Sequence, residues 1–131
     1  LFRSPEITYA QSRISSPSTK NLVQAMEEGK KVLRYFSGTK DCGLVSRKSK
    51  GLNIVAYGDA NYSTNRSQTG IVVMVGGNTV TWRSCKQPST ATSSADSEVQ
   101  VMQLTAALGE LVKFLIGWAN PECGCDAQLG S

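Results

Sequence analysis

The sequence predicts one α/β (α+β) domain built on a three-stranded antiparallel meander and one long helix, with a shorter helical segment ahead of it. Three observations carry this. Residues 52–59 and 79–84 alternate in polarity with the two-residue period of a strand. Gly76-Gly77-Asn78 is a hairpin-turn sequence between apolar stretches. From Ser94 to Trp118, Val101, Leu104, Leu108, Leu111, Val112 and Leu115 recur at helical spacing.

In chain order, residues 1–17 are polar and mixed, and Ile7, Ala10 and Ile14 point to a short helix. Ser16-Pro17-Ser18 reads as a loop ending in an N-cap. Thr19–Ser37 is the next helical stretch, with Leu22, Met26, Leu33 and Phe36 on one face and Gly38 as its C-cap. Glu27 precedes Lys31 by four residues, the order that favours an ion pair. Lys30, Lys31 and Arg34 suit first a solvated helix face near a helix C-terminus, and as the sharper alternative a phosphate-contacting one. Residues 39–51 are polar, with a short strand at best around Leu44 and Val45, and mark the domain boundary: residues 1–42 on one side, 43–131 on the other.

The first firm strand is Leu52–Ala60. Leu52, Ile54 and Ala56 share one face, and Asn53, Val55, Tyr57 and Asp59 the other. Gly70–Val75 lacks alternation and suits a strand covered on both sides. In the third strand Val80 and Trp82 face one way, Thr81 and Arg83 the other. Ser93 or Ser94 caps the long helix, Asp96 adds negative charge to its first turn, and Asn120-Pro121 ends it.

Composition narrows the chemistry. The chain has 131 residues, 40% hydrophobic and 18% charged, enough to bury a core. No uninterrupted apolar run approaches the ~18–20 residues of a membrane span, so no membrane partner is expected. No signal-peptide pattern opens the chain, and Leu1 in place of an initiator Met suggests a fragment or processed piece. The net charge of +4 is compatible with nucleic acid as partner. Cys42, Cys85, Cys123 and Cys125 lack the second pair or histidines of a zinc site and read as reduced thiols of an intracellular protein. With no histidine, Ser-His-Asp and Cys-His mechanisms are excluded.

Two carboxylates stand out. Asp59 ends an apolar strand, and Glu98 lies one turn before Val101 and Met102, which turns it toward the buried side of its helix. Two like charges brought together call for a cation between them, and oxygen ligands select Mg²⁺ or Mn²⁺. Phosphodiester hydrolysis is the chemistry of such a site. The plainer reading makes Glu98 a first-turn helix acid and Asp59 a turn residue. Spacing alone favours the plainer one.

A resemblance shifts the balance. The segments Lys31–Leu44, Tyr57–Ala60 with Arg66–Gly70, and Gly76–Asn78 with Trp82–Pro88 and Ser93–Glu98 resemble, in order and spacing, a copia-type (Pseudoviridae) retrotransposon Pol polyprotein. The matching region is the end of reverse transcriptase and the ribonuclease H (RNase H) domain, from about Arg3 to Trp118. The resemblance implies an RNase H-like fold, a mixed five-stranded sheet with helices on it. It also implies Mg²⁺- or Mn²⁺-dependent cleavage of RNA in RNA–DNA hybrids during reverse transcription. Asp59 then matches the first-strand metal-binding aspartate, Glu98 the helix glutamate and Asp126, in Cys125-Asp-Ala-Gln128, a third ligand. Arg83 and Lys86 become either phosphate contacts or ordinary surface cations, and Trp82 a packing residue. The chain departs from the pattern at Asn61, where a second acid is usual, and in its short C-terminal part, which leaves much of the later fold and a fourth acid missing.

The expectation is therefore a retrotransposon-derived RNase H-like region, weak or inactive as this chain. Its partners would be an RNA–DNA hybrid and the rest of Pol, in the cytoplasm, the nucleus or a virus-like particle. A non-catalytic nucleic-acid-binding remnant and a small structural interaction protein are the alternatives. Lacking a parallel neighbour, the first strand would offer an exposed edge for self-association unless the tail covers it.

Overall fold

The structure, a computed structural model, describes residues 5–15, 21–49, 51–119 and 127–130. The chain divides into two units, Leu1–Leu44 and Val45–Ser131.

The first unit holds two helices, α1 (Pro5–Ile14) and α2 (Leu22–Gly38). Pro5 suits the first turn of α1, where its missing N–H costs nothing. Asn21 caps α2, its Oδ1 accepting the Val23 N–H at 3.1 Å. The helix runs through Gly38 and ends on Thr39, not on the glycine. Lys31 pairs with Glu28 at 2.9 Å rather than with Glu27, an i,i+3 contact in place of the expected i,i+4. Two helices cannot enclose a core, and no residue of α2 is buried. Met26, Leu33 and Phe36 instead line an apolar groove of about 460 Å³ with Ile7 and Ile14 of α1. The Ser16–Ser18 cap lies outside the described residues, and no strand forms at Leu44 and Val45.

The second unit is a four-stranded sheet with one helix, α3 (Ser94–Ala119), packed on it. The strands are β1 (Ile54–Asn61), β2 (Gln68–Val75), β3 (Asn78–Lys86) and β4 (Ala127–Gly130), in the order β3-β2-β1-β4. The first three form the antiparallel meander, and β2–β3 close through Gly76 (φ +56°) and Gly77 (φ +79°). Two consecutive positive φ values define the type I′ geometry that matches strand twist. At Gly76 a side chain would also press on the Gly51 carbonyl and Ser49 at 2.7 Å, so glycine is required twice over.

The sequence suggested that β1 lacks a parallel neighbour. The tail supplies one: β4 pairs parallel with β1, from Ile54↔Ala127 to Tyr57↔Gly130. It covers the first half of β1 and stops there, leaving Gly58–Asn61 outside the β4 register.

Burial in β2 alternates, with Thr69, Ile71, Val73 and Val75 buried and the intervening residues half-buried. The expected strand buried on both faces is therefore a strand buried on one. Its unbroken apolar run hid this, because Val72 and Met74 are apolar on the less covered face. Ile54, Ala56, Ile71, Val73 and Val75 meet Val101 in the core, with Leu104, Leu108, Val112 and Ile116 packed around them. In β3 the register slips at Val73/Met74, so that Thr81 and Thr79 take successive partners and Val80 is passed over.

By length and composition α3 is a helix that could cross a membrane. The polar residues scattered along it break its apolar runs and so mask this character. Its sheet-facing stripe of Ser97, Val101, Thr105 and Gly109 is buried, and Leu104, Leu108, Val112 and Ile116 pack partly buried beside it, which accounts for part of its apolar character. Leu111, Phe114, Leu115 and Trp118 remain at least half exposed on its flank.

The helix comes closest to the sheet at Gly58. A Cβ there would collide with Thr105 Oγ1 and lie 3.2 Å from Val101 Cγ2. Gly58→Ala is expected to lower stability by about 1–3 kcal/mol through overpacking. Adding Thr105→Ala should recover part of the loss, as measured by urea unfolding. Equal loss in both backgrounds would place the cost elsewhere.

Candidate functional site

The helix contacts orient the sheet. Gly58 points its missing side chain at Val101 and Thr105, and Ala56 touches the point where a Gly109 Cβ would lie, at 3.6 Å. Moving along α3 toward its C-terminus therefore means moving backward along β1. The first turn of α3 is carried toward the C-terminal end of β1, where Asp59 stands.

Strand pleating then separates the two carboxylates. If Gly58 faces α3, its neighbour Asp59 faces away from it. Asp59 is exposed and lies in register with Gly70, whose partner across β3 is Ser84. The next row on the same face is Asn61, Gln68 and Lys86. Gln68 Nε2 donates to Ser84 Oγ at 2.9 Å, joining the two rows. Arg83 is exposed and belongs to the other face, in register with buried Ile71. The two cations thus diverge, Lys86 sharing a face with Asp59 and Arg83 sharing one with α3.

Glu98 does not take the buried side of α3, as its spacing from Val101 suggested. It is exposed, and Ser97 occupies the buried position. The stripe that packs on the sheet runs Ser97, Val101, Thr105, Gly109 at four-residue intervals. Glu98 is rotated one residue from it, on the side of Met102, which is itself 53% exposed. Asp59 and Glu98 consequently lie toward the same end of the sheet, Asp59 on the face away from α3 and Glu98 exposed on the helix itself. Asp126 lies outside the described residues. The strand that follows it, β4, begins opposite Ile54, at the end of β1 remote from Asp59.

Among the described residues no three Cys, Asp or Glu side chains gather closely enough to hold a metal ion. Of the three acids that the resemblance implied, Asp59 and Glu98 are described and Asp126 is not.

What holds this end of the molecule together is a polar network of which the sequence shows the helix cap and its first-turn acid but not the rest. Ser93 Oγ accepts the Asp96 N–H at 3.1 Å, so Ser93 is the N-cap of α3. Asp96 reaches back to the Thr92 N–H at 2.9 Å and accepts from Gln100 Nε2 at 3.3 Å. Gln87, fully buried, donates its side-chain amide to the Ser97 carbonyl at 2.8 Å, while its main-chain N–H binds the Ser67 carbonyl at 2.8 Å. One residue therefore ties the end of β3 to the approach to β2 and to the first turn of α3. The signal for it was a glutamine between a strand and a proline, which pattern alone does not distinguish from a loop residue.

Known proteins share part of this sequence. The chain is 34% identical over 107 residues to an uncharacterized mitochondrial protein of Arabidopsis thaliana, covering 79% of this chain and 45% of that protein. It is 29% identical over 110 residues to the retrovirus-related Pol polyprotein from transposon RE1 of Arabidopsis thaliana, 81% of this chain and 8% of that polyprotein. A second uncharacterized mitochondrial protein of the same plant is 32% identical over 75 residues, 54% of this chain and 68% of that protein. The chain thus spans under half of the first of these relatives and a small part of the polyprotein. No family model and no solved structure matches it. The chain belongs to the family of copia-type retrotransposon Pol polyproteins and their mitochondrial retrotransposon-derived relatives.

Hydrogen bonds from the Thr92 backbone, first, and from Gln100 hold the Asp96 carboxyl below its ordinary value near 3.8. A carboxylate held low in the folded state stabilises it above its unfolded pKa and loses that contribution as pH falls through the folded one. Asp96→Asn should therefore melt below wild type near neutral pH. The two melting temperatures should converge as the pH is taken down through 3.8 and below. A gap that does not change with pH would assign the effect to something other than the charge.

Proposed function

We propose that the second unit is an RNase H-like region derived from a retrotransposon Pol, binding RNA–DNA hybrid and turning it over weakly or not at all. The observation that carries this is the topology around β1. The strand bearing Asp59 pairs antiparallel with β2 and parallel with the strand that follows the long helix. That connection is the one an RNase H-like sheet requires, and it accompanies membership in a Pol family. Asp59 and Glu98 are the residues of the hydrolytic pattern that the described structure retains. The incomplete set of acids, with Asn61 where a second one is usual, supports binding over catalysis. Lys86, on the face of Asp59, and Arg83 are the cations proposed to meet phosphate. The remainder of Pol is the proposed protein partner, and the exposed Leu111, Phe114, Leu115 and Trp118 favour such an interaction. The same surface supports the second reading, an interaction module without nucleic-acid chemistry.

The deciding assay uses an RNA strand labelled in a hybrid with DNA, Mg²⁺ or Mn²⁺, and wild type beside Asp59→Asn and Glu98→Gln. The expected result is binding that weakens steeply with salt, with slow cleavage or none. Rapid metal-dependent cleavage abolished in both variants would overturn the weak-turnover part. Absence of binding at low salt would overturn the nucleic-acid part and leave the interaction module.

A further inference from the structure

Five polar or charged residues are buried in this protein among those described: Ser67, Thr69, Gln87, Ser97 and Thr105. Four of them crowd one end of the sheet, beneath the first turns of α3. Thr105 is further along the helix and satisfies itself on the Val101 carbonyl at 2.7 Å. Ser97 does the same on the Ser94 carbonyl, also at 2.7 Å. Ser67 Oγ accepts the Ser63 N–H at 3.2 Å and keeps its own proton to give.

Two atoms of this cluster differ. Thr69 Oγ1 and Gln87 Oε1 are buried and have no hydrogen-bond partner among the described residues. Their surroundings are fixed by the fold. The amide of Gln87 is fixed by its Nε2 donating to the Ser97 carbonyl, which settles where Oε1 lies. Thr69, the second residue of β2, has its backbone held between Ala60 and Cys85. The two residues are close: the Gln87 N–H binds the Ser67 carbonyl, and Thr69 is two residues beyond Ser67 with its side chain on the same buried face. Diagonal neighbours of this kind stand about 7–8 Å apart across a strand pair. The two oxygens make no direct bond with one another, and buried waters bind at such polar, multiply bordered points.

We infer that Thr69, Gln87 and Ser67 form an internal water site that locks the first turn of α3 to the sheet. The water donates to Gln87 Oε1, exchanges a hydrogen bond with Thr69 Oγ1 and accepts from the Ser67 hydroxyl. Gln87 thereby acts as a positioning residue: one end of its amide holds the Ser97 carbonyl, and the other is anchored through water to β2. Glu98 is the next residue along the helix, so its direction depends on this anchor. The inference stands whether or not the chain handles nucleic acid, and its test does not use hybrid binding.

The probe is water itself, followed by ¹⁷O magnetic relaxation dispersion on the full chain. Wild type and Thr69→Ser, which keeps the hydroxyl, should show the same number of long-lived internal waters. Thr69→Val and Gln87→Met should each show one fewer, and Thr69→Val should melt below wild type although its shape is nearly conserved. An unchanged count in either variant, or a Thr69→Val protein that melts at or above wild type, would overturn the site. Should a variant fail to fold, wild type decides alone. The side-chain amide protons of Gln87 must show a nuclear Overhauser effect to a slowly exchanging water, and its absence would overturn the proposal.

Discussion

The approach of α3 to β1 at Gly58 is the constraint from which the second unit follows. With no side chain at that position, Thr105 and Val101 settle directly over the strand backbone. The helix can then bury Ser97, Val101, Thr105 and Gly109, a stripe of small and medium side chains at four-residue spacing. Larger residues at those positions would hold the helix off the sheet. The core built around this contact is small, and Ile54, Ala56, Val73 and Val101 are its most completely buried apolar members.

That same contact decides the direction of the acids. Side chains alternate along a strand, so committing Gly58 to the helix commits Asp59 to the opposite face. Along the helix, committing Ser97 to the core turns Glu98 toward solvent. The exposure of two carboxylates at one end of a sheet is thus set by two packing decisions, each made by a neighbour in sequence. Charge repulsion needs no part in this. The cost of burying a carboxylate without a partner is large, and neither acid is asked to bear it.

Elements with strong local signals are legible in the amino-acid sequence. The hairpin at Gly76-Gly77, the alternation of β1 and the apolar length of α3 each follow from neighbouring residues. The polarity of β1 also indicates the right face for Asp59. What local signals cannot supply is phase relative to a distant partner. Glu98 and Ser97 sit one residue apart, and only the sheet decides which faces inward. The tail strand is hidden for another reason. Four residues of Ala, Gln, Leu and Gly have little strand character, and β4 exists through pairing with β1. Gln87 is hidden because its partner, the Ser97 carbonyl, is a main-chain atom ten residues away.

The slip in β3 shows how a small insertion can set the character of a surface. Beyond Val80 the strand keeps its alternation, placing Trp82 beside Val72 and Arg83 beside Ile71. Were Val80 absent and the hairpin unchanged, every later residue of β3 would move by one place. The indole would then turn toward the helix side, and the guanidinium would join Asp59 on the other. A single codon thus acts as a frame marker in three dimensions: its presence, and not the identity of its side chain, assigns aromatic and basic chemistry to opposite sides of the sheet.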